Sequence, residues 1–305
     1  MDIYKNPVAQ QAKTPALSVL IPYYHDDPAD LLTALNGRDD IEILLYDDGT
    51  GDQEINENLR KLAADMPLPI TLFFAQNNKG RSSARNTLKE NAAANWVLFL
   101  DADMLPQTDT FIADYLHEIS KNTADIIFGG FTVPSQKQST DTELHRKFSM
   151  TSDCLSAEDR TKNGPQYVCS SNLCVRAHIL DECGFDPSFT GWGWEDSEWA
   201  ARVAKSYTIL HADIPALHLG LENTETLLTR FKTSGANYVK FTEAHPELAK
   251  TLTLYKMSTA IKHLPGQKLM RPLLAGFVRA SILPIKLRLI ALKLWRASWY
   301  AEAFT

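Results

Sequence analysis

Two aspartates separated by one residue follow a short apolar segment. Asp101 and Asp103 come directly after WVLFL at residues 96–100. If extended geometry continues past this segment, the two carboxylates point to one side of the chain and Ala102 points to the other. Carboxylate oxygens of this kind suit Mg2+ or Mn2+, which keep open coordination positions for a diphosphate. The pair therefore predicts a metal site, and the alternative is two solvated acids in a turn.

A basic face lies on a predicted helix upstream of these acids. Arg81, Arg85 and Lys89 recur every four residues, so they share one helical face, and Gly80 marks its amino end. A helix amino terminus bearing arginines suits an anion such as a diphosphate. The alternative is a solvated basic face. A metal and arginines together would offset the repulsion between the aspartates and a phosphate.

The segment GWGWEDSE at residues 191–198 combines two tryptophans, two glycines and three acids. Indole rings stack on the apolar C–H faces of sugars, which makes Trp192 and Trp194 candidates for contact with a sugar. The acids at the start of the following helix, Glu195 and Asp196 among them, can accept hydrogen bonds from hydroxyls or take up a proton. The alternative is a tryptophan-filled core beside a helix with acids in its first turn.

A single histidine, His218, stands in the otherwise apolar run IPALHL at 214–219. A histidine in such a run is usually a hydrogen-bonded core residue, and the alternative is a third metal ligand beside the aspartates. The other histidines and the four cysteines have no spacing typical of a zinc site. Because the chain is long and has no CxxC pair, reduced thiols are expected.

Composition and charge limit the classes of function. The chain has 305 residues, of which 44% are apolar, and a net charge of −6. From residue 262 onward eight basic residues stand against one acid, so this tail carries +7 and residues 1–261 carry −13. The acidic body argues against nucleic acid as a partner, and the basic apolar tail favours an anionic surface or an acidic partner. With no apolar leader and no run of ~18 apolar residues, a cytoplasmic protein is expected.

Strands and helices alternate through the first hundred residues. Apolar runs typical of strands lie at 17–21, 41–46, 69–74 and 96–100, with helical patterns between them. This alternation predicts an α/β fold with a mostly parallel sheet flanked by helices. Ligands of such sheets bind beyond the carboxyl ends of the strands. The residues expected along that crevice are Pro22, Tyr23, Asp47, Asp48, Asp101, Ala102 and Asp103.

The pattern beyond Asp103 is less regular and predicts a second, mixed lobe. Glycine and capping residues mark the ends of its short helices. The expected elements are a helix near 108–120, a strand at 125–129, an irregular or lid-like stretch at 134–164, a strand near 167–169 and helices at 177–183 and 195–205.

Together these motifs resemble the family 2 glycosyltransferases of the GT-A fold. The matching segments are LSVLIPYY at 17–24 for the opening strand, LLYDDGT at 44–50 for the nucleotide aspartates, NKGRSSARN at 78–86 for the glycine-arginine-asparagine segment and FLDADM at 99–104 for the DxD motif. GWGWED also resembles the motif of β-1,4-galactosyltransferase-type C-terminal domains. Four motifs in the family's order are more specific than any one of them. The likeness covers residues 17–220.

The resemblance implies a Rossmann-like GT-A fold that binds a UDP-sugar donor. The implied donor-side residues are Pro22, Tyr23, Asp47 and Asp48 for the uridine, Arg81 or Arg85 for the base or diphosphate, and Asp101, Ala102 and Asp103 for the ribose and metal. A Mn2+ or Mg2+ ion would be held by Asp101, Asp103 and His218. Thr50 replaces the family's usual serine, and His25 stands where an asparagine is common.

The resemblance also implies an inverting, metal-dependent transfer to a hydroxyl. Asp196 would be the general base, Glu195 would bind the acceptor, and Trp192 and Trp194 would contact it. The acceptor would be a glycan or a lipid-linked sugar, and GWGWED favours a galactose-type donor.

The implied glycosyltransferase domain spans residues 15–220, with a nucleotide-sugar-binding half at 15–104 and an acceptor-side half at 105–220. Residues 221–305 would form a helical extension, basic and amphipathic from about residue 263. Such a tail suits peripheral binding to the inner face of the plasma membrane, and packing on the domain or on another subunit is the alternative.

Two other functions are compatible with the same α/β fold of a sheet flanked by helices. One is a non-catalytic UDP-sugar-binding or scaffold protein, against which the intact Asp101, Asp103, Asp196 and His218 argue. The other is a sugar nucleotidyltransferase. That enzyme needs a glycine-rich loop with a basic residue after the first strand, and PYYHDD at 22–27 has neither.

Overall fold

The computed structural model describes residues 1–10, 14–35 and 40–304, which divide into two compact units. The first unit comprises residues 1–132, 155–188 and 199–220, and the second comprises 133–154, 189–198 and 221–305. The motif-bearing strands all belong to the first unit.

The strands of the described residues form two sheets in the first unit. In chain order they are Asp2–Lys5 (β1), Leu17–Tyr23 (β2), Ile41–Asp47 (β3), Ile70–Phe74 (β4), Trp96–Leu100 (β5), Met104–Pro106 (β6), Ile126–Phe128 (β7), Phe131–Thr132 (β8), Asn172–Arg176 (β9), Ile209–His211 (β10) and Ala216–His218 (β11).

Helices alternate with the strands and then dominate the second half of the chain. They are Ala29–Ala34 (α1), Gln53–Asp65 (α2), Arg81–Glu90 (α3), Phe111–Lys121 (α4), Glu143–Ser152 (α5), Ala157–Asn163 (α6), Ala177–Glu182 (α7), Glu195–Val203 (α8), Thr224–Thr233 (α9), Gly235–Ala244 (α10), Pro246–Thr251 (α11), Thr253–Lys262 (α12), Arg271–Arg279 (α13) and Ile285–Ala303 (α14). Short 3-10 turns lie at Pro165–Tyr167 and Gln267–Met270.

The larger sheet has eight strands in the order β1-β4-β3-β2-β5-β9-β7-β10, and the smaller one has the order β6-β11-β8. β4, β3, β2 and β5 run parallel to one another, whereas β9 lies antiparallel between β5 and β7. β5 is buried on both faces, as its uninterrupted apolar sequence predicts. The mostly parallel sheet flanked by helices is therefore confirmed.

The second strand continues through a proline. β2 runs to Tyr23, past the predicted end at residue 21. Its pairing with β5 ends at Leu20 opposite Phe99, so the missing N–H of Pro22 interrupts no ladder on that side. On the other side the register with β3 persists to Tyr23 opposite Asp47. The crevice residues at 22 and 23 therefore lie within the strand.

Two expectations for the mixed lobe are wrong. The stretch 134–164 contains two helices, α5 and α6. α5 buries Leu144 and Phe148, four residues apart, on a face that the polar composition conceals, and α6 begins after Ser156, whose side chain caps it. The strand expected near 167–169 is a 3-10 turn led by Pro165, and the strand itself is β9. β9 begins with a buried asparagine, which an apolar periodicity does not reveal.

A titratable side chain stands at the end of the edge strand β10. His211 packs edge-on against Phe128, with ring centroids 5.9 Å apart, and its Nδ1 has no hydrogen-bond partner among the described residues. Burial, with the nearby charge of Arg160, lowers the pKa of His211 to about 4. The folded protein therefore keeps this imidazole neutral at pH values where an unfolded chain would protonate it.

This difference makes stability depend on pH. Between about pH 6.5 and pH 4 the unfolded chain takes up a proton that folded His211 does not bind. The full shift corresponds to about 3 kcal/mol, and solvent screening of the partly exposed ring reduces it, so acidification is expected to lower the free energy of unfolding by about 2 kcal/mol. Urea unfolding at a series of pH values should show this loss in the parent and in the exposed control His117→Leu, and a smaller loss in His211→Leu. Parallel curves for the parent and His211→Leu would contradict the assignment.

The second unit is helical among its described residues, with its own apolar core. Leu144 and Phe148 of α5, Phe231 of α9, Val278 of α13 and Leu292 of α14 are buried together. Pro272 lies in the first turn of α13, and Pro284 precedes α14, so these two prolines mark helix starts. In the described part of the chain, no helix is long and apolar enough to cross a bilayer.

Candidate active site

The carboxyl ends of neighbouring strands bring the sequence-predicted donor residues to one edge of the sheet in the first unit. The β2–β3 register places Tyr23 opposite Asp47. Tyr23 is only 3% exposed, and its hydroxyl lies 2.9 Å from Asn56 Oδ1. Asp47 accepts from the Thr50 amide at 2.7 Å and from Asn56 Nδ2 at 3.2 Å. Asn56 of α2 thus links the carboxyl ends of β2 and β3.

The second aspartate of the pair holds the approach to helix α3. Asp48 Oδ1 accepts from the Lys79 amide and Oδ2 accepts from the Gly80 amide, both at 2.8 Å. Burial raises the pKa of Asp48, while the two backbone N–H groups act in the opposite direction. Gly49 adopts φ 81°, and a Cβ there would lie 2.5 Å from the Asn77 carbonyl carbon, so only glycine lets these loops approach so closely. The loop after β3 therefore positions the amino end of α3.

A strand pairing joins two residues that lie far apart in the sequence. In the small sheet β11 runs antiparallel to β6, with His218 opposite Met104. His218 Nε2 consequently lies 3.2 Å from Asp103 Oδ2. Burial raises the pKa of Asp103, but the hydrogen bond with His218 and its charge outweigh burial, and with a smaller effect of Arg81 the pKa lies below its usual value. The site thus favours an ionised carboxylate.

Gly220 leaves room for the Asp103 carboxylate. A Cβ built at Gly220 would come within 1.8 Å of Asp103 Oδ2, and the preceding amide, Leu219 N, donates to the Asp103 carbonyl at 2.9 Å. The two residues that follow β11 therefore both contact Asp103, the second aspartate of the DxD motif: Leu219 bonds its backbone carbonyl, and Gly220 lies against its carboxylate.

The substitution Gly220→Ala should displace this carboxylate without changing any charge. We expect kcat/KM for a reaction at this site to fall by at least about tenfold, because misplacement of about 1 Å in a site can cost about a hundredfold in rate. Gly276→Ala, where a Cβ meets nothing within 4 Å, is the matched control. Equal activity of the two variants would show that Asp103 needs no fixed position.

The first aspartate of the motif is paired with a buried arginine. Arg85 on α3 is 1% exposed, its Nη2 lies 3.2 Å from Asp101 Oδ1, and its guanidinium carbon lies 5.6 Å from the ring centroid of Phe185. Ala102 between the two aspartates is buried in the core. Arg85 therefore contacts Asp101 from within the domain, whereas Arg81 at the start of the same helix is exposed.

Removal of this arginine should destabilise the fold. In Arg85→Met a largely buried carboxylate loses its cation, which typically costs about 3 kcal/mol, somewhat less here because Asp101 is 29% exposed. Thermal unfolding should therefore show a Tm several degrees lower than in the parent and in the exposed control Lys61→Met. The double variant Arg85→Met, Asp101→Asn should recover part of the loss; no recovery would mean that the arginine stabilises through packing alone.

The GWGWED segment lies in the second unit and has an unusual backbone. Gly191, Gly193 and Trp194 all have positive φ angles, and 78° at Trp194 is a strained value for a residue with a side chain. The Trp194 indole packs 4.5 Å from the Tyr238 ring and 5.0 Å from the Phe241 ring, and its Nε1 donates to the Tyr300 hydroxyl at 3.0 Å. This aromatic packing offsets the strain.

The other residues predicted on the acceptor side have different surroundings. Trp192 is half-buried, 5.6 Å from the Phe231 ring with the Arg230 guanidinium over its face at 5.8 Å. Glu195 is 4% exposed, whereas Asp196 is half-buried in the first turn of α8. Asp196 is thus the more accessible of the two adjacent acids.

Three residues of interest were assigned no role from the sequence. Glu198, on the first turn of α8, is buried with His245, whose Nε2 lies 3.4 Å from Glu198 Oε1. His245 follows α10 and is separated from Glu198 by 47 residues, so no local pattern links them. Tyr24 is 44% exposed directly after β2 and is the accessible aromatic there, in contrast to Tyr23. Its position directly after an apolar strand was a readable signal for Tyr24.

The candidate metal ligands beside β5 and β11 fit a hard divalent cation. Asp103 and His218 are already in contact, and Asp101 lies one residue beyond β5. Two carboxylates and an imidazole are compatible with Mn2+ and Mg2+. Residues 1–10, 14–35 and 40–304 contain no preformed group of three His, Cys, Asp or Glu side chains in ligating geometry.

Comparison with known proteins identifies the family. The family model described as glycosyl transferase family 2 matches residues 18–184, more than half of the chain. The protein therefore belongs to glycosyl transferase family 2.

Individual relatives agree with this assignment over shorter stretches. An uncharacterized glycosyltransferase of Haemophilus influenzae is 33% identical over 93 residues, which are 29% of this chain and 36% of the relative. The uncharacterized glycosyltransferase EpsJ of Bacillus subtilis is 33% identical over 133 residues, 42% of this chain and 36% of the relative. The matched regions thus span little more than a third of either relative.

Solved structures show the same fold. The mannosyltransferase PcManGT from Pyrobaculum calidifontis, in complex with GDP-Man and Mn2+, superposes with a TM-score of 0.59 and 18% identity over 97% of this chain and 88% of that one. S. aureus TarS 1-349 in complex with UDP superposes with a TM-score of 0.52 and 15% identity over 94% and 89%. The chain therefore has a GT-A-like α/β fold.

Proposed function

We propose that this glycosyltransferase moves a sugar from a UDP-sugar to a hydroxyl of a glycan or lipid-linked acceptor, with inversion at the anomeric carbon. The observation that carries the proposal is the contact of His218 with Asp103 at the strand ends where Asp101 is held by Arg85. In a family 2 member, such a cluster at the carboxyl edge of the sheet suits a nucleotide diphosphate and its cation.

On the donor side the loops after β2 and β3 would receive the nucleotide. The uridine would lie along Pro22, Tyr23, Asp47 and Asp48, with Tyr24 as an exposed aromatic platform for the base. The side chains of Asp48 and Tyr23 are already hydrogen-bonded to other parts of the protein. We therefore propose that these two residues shape the nucleotide site and do not bind the nucleotide through their side-chain polar groups. Arg81, exposed at the start of α3, would face the diphosphate.

The residues proposed to hold Mn2+ or Mg2+ are Asp101, Asp103 and His218, and Ala102 sets the spacing between the aspartates. A divalent cation supplies charge neutralisation for the departing diphosphate. The low pKa of Asp103 supports this assignment, since an ionised carboxylate is needed for ligation. Mn2+ and nucleotide in the solved neighbours PcManGT and TarS 1-349 give it further support.

On the acceptor side Asp196 would remove the proton from the attacking hydroxyl. The hydroxyl oxygen would then bond to the anomeric carbon as the bond to the UDP oxygen breaks, and one such displacement inverts the centre. Glu195 would orient the acceptor, and Trp192 and Trp194 would shape its site, Trp194 through its packed ring. The likeness of GWGWED to galactosyltransferase-type motifs favours galactose or a related sugar in the donor.

The domain proposal follows the same division of roles. Residues 15–104 would bind the nucleotide sugar, residues 105–220 would complete the metal and acceptor side, and residues 221–305 would form a helical extension.

A panel of UDP-sugars, with GDP-mannose for comparison, tests the proposal directly. We expect Mn2+-dependent release of UDP from one of the UDP-sugars, and NMR of the transfer product should show the inverted anomer. Metal-dependent binding of UDP with no hydrolysis or transfer would instead indicate a binding protein. Release of pyrophosphate from UTP and a sugar phosphate would indicate a nucleotidyltransferase.

A further inference from the structure

Large apolar side chains are exposed on the last helices of the second unit. Leu273 and Phe277 on α13 and Ile282 in the following loop line a shallow groove of about 370 Å3. Ile282 is 92% exposed, and Leu269 in the turn before α13 is 82% exposed. α14 packs against α13 and adds exposed Leu287 and Ile290. We call these six side chains the tail surface: Leu269, Leu273, Phe277, Ile282, Leu287 and Ile290.

The exposed face of α14 also carries cations. Lys286, Ile290 and Lys293 lie on one helical face, and both lysines are exposed. Within the described residues no ion pair is made by either lysine. By contrast, Arg279 on α13 is paired with Glu225.

The acid of this region is not available to an outside partner. Glu302 is held by Lys268 and Arg271. From residue 262 to the last described residue no other Asp or Glu occurs. The tail surface is therefore apolar, and the acids near it, Glu302 and Glu225, are paired with other cations and do not balance the charge of Lys286 and Lys293.

We propose that the tail surface docks the protein on an anionic lipid bilayer. Apolar side chains projecting beside lysines are the composition of helices that lie in the interface of a membrane. Ile282 and Leu269 would enter the boundary between headgroups and acyl chains, while Lys286 and Lys293 would meet lipid phosphates.

A second copy of the chain fits this surface less well. In a twofold dimer the same patch faces itself, so the lysines of one copy would lie near those of the other with no acid between them. Lipid phosphate is the partner whose charge complements the lysines, and the acyl boundary is the medium that accepts an isoleucine with 92% of its surface exposed.

Vesicle sedimentation tests this inference without any sugar donor, so its failure would leave the proposed glycosyltransferase activity untouched. The protein should pellet with vesicles of phosphatidylcholine and phosphatidylglycerol and stay in solution with phosphatidylcholine alone. Ile282→Asp with Leu269→Asp, and separately Lys286→Gln with Lys293→Gln, should each weaken binding by about tenfold or more, and added salt should weaken it further. Because all four positions are exposed, the Tm should stay unchanged.

Matched controls lie in the first unit. Ile3→Asp removes an exposed isoleucine, and Lys61→Gln with Lys205→Gln removes two exposed lysines; vesicle binding should not change in either. Equal pelleting of parent and tail variants, or of tail and control variants, would overturn the inference. So would a concentration-dependent dimer, seen by size exclusion with light scattering, that Ile282→Asp dissociates while vesicle binding persists.

Discussion

The Asp103→Asn enzyme is expected to transfer sugar with a kcat/KM lower by about a hundredfold or more. Asparagine keeps the shape of the side chain and a hydrogen-bonding oxygen for His218, but it removes the negative charge that the site stabilises. If this carboxylate holds the cation, the loss removes several kcal/mol of stabilisation of the departing diphosphate, and each 1.36 kcal/mol corresponds to a factor of ten in rate. UDP release and product formation, measured over a range of Mn2+ concentrations, check this prediction.

A control and a binding measurement separate this effect from misfolding. Asp109→Asn changes an exposed acid six residues further along the chain and should behave as the parent. Calorimetry should show that Asp103→Asn binds UDP with less dependence on Mn2+ while its Tm stays near that of the parent. Full transfer activity in Asp103→Asn at low Mn2+ would exclude Asp103 from the metal site.

Asp196→Asn is expected to leave UDP-sugar binding nearly unchanged and to lower kcat by about 10²–10⁴-fold, the usual contribution of a general base. The substitution keeps the length of the side chain but removes its ability to accept a proton from the acceptor hydroxyl. Donor hydrolysis by water should fall less than transfer does, because the acceptor step is the one that uses this base. Steady-state kinetics with a fixed acceptor, and calorimetry of donor binding, measure the two quantities separately.

The neighbouring acid Glu198 provides the sharpest comparison. It lies on the same turn of α8 but is buried with His245, so Glu198→Gln should act on stability before it acts on chemistry. Asp65→Asn, an exposed acid in the last turn of α2, should change neither. If Glu198→Gln abolished transfer at unchanged Tm while Asp196→Asn remained active, the base would be Glu198 and our assignment of Asp196 would be wrong.

The parts of the fold that the sequence predicted are those set by local patterns. The apolar run of β5 at 96–100 and the alternation around it specify a parallel sheet, and parallel strands place their carboxyl ends at one edge. The helices after 177 and 195 were predicted because glycine and capping residues end or start them. The sequence thus predicted that Asp47, Asp48 and Asp101 lie at the carboxyl ends of strands.

The pairings that complete the candidate site depend on contacts distant in sequence. Nothing near Arg85 indicates that it is buried against Asp101, since its spacing with Arg81 and Lys89 is also that of a solvated face. His218 meets Asp103 through the β6–β11 ladder, which joins two strands of three residues each, too short to show a strand period in the sequence. Glu198 in α8 and His245 after α10 likewise come together only through packing within the second unit.

The β6–β11 ladder has a practical consequence for anyone expressing part of this chain. The region recognisable as glycosyl transferase family 2 ends at residue 184, and a fragment cut at that boundary would still carry Asp101 and Asp103. It would lack β11, whose pairing supplies His218, and also Gly220, which leaves space for the Asp103 carboxylate. The smallest fragment that keeps Asp103 together with His218 and Gly220 therefore extends at least to residue 220, beyond the end of the matched family model.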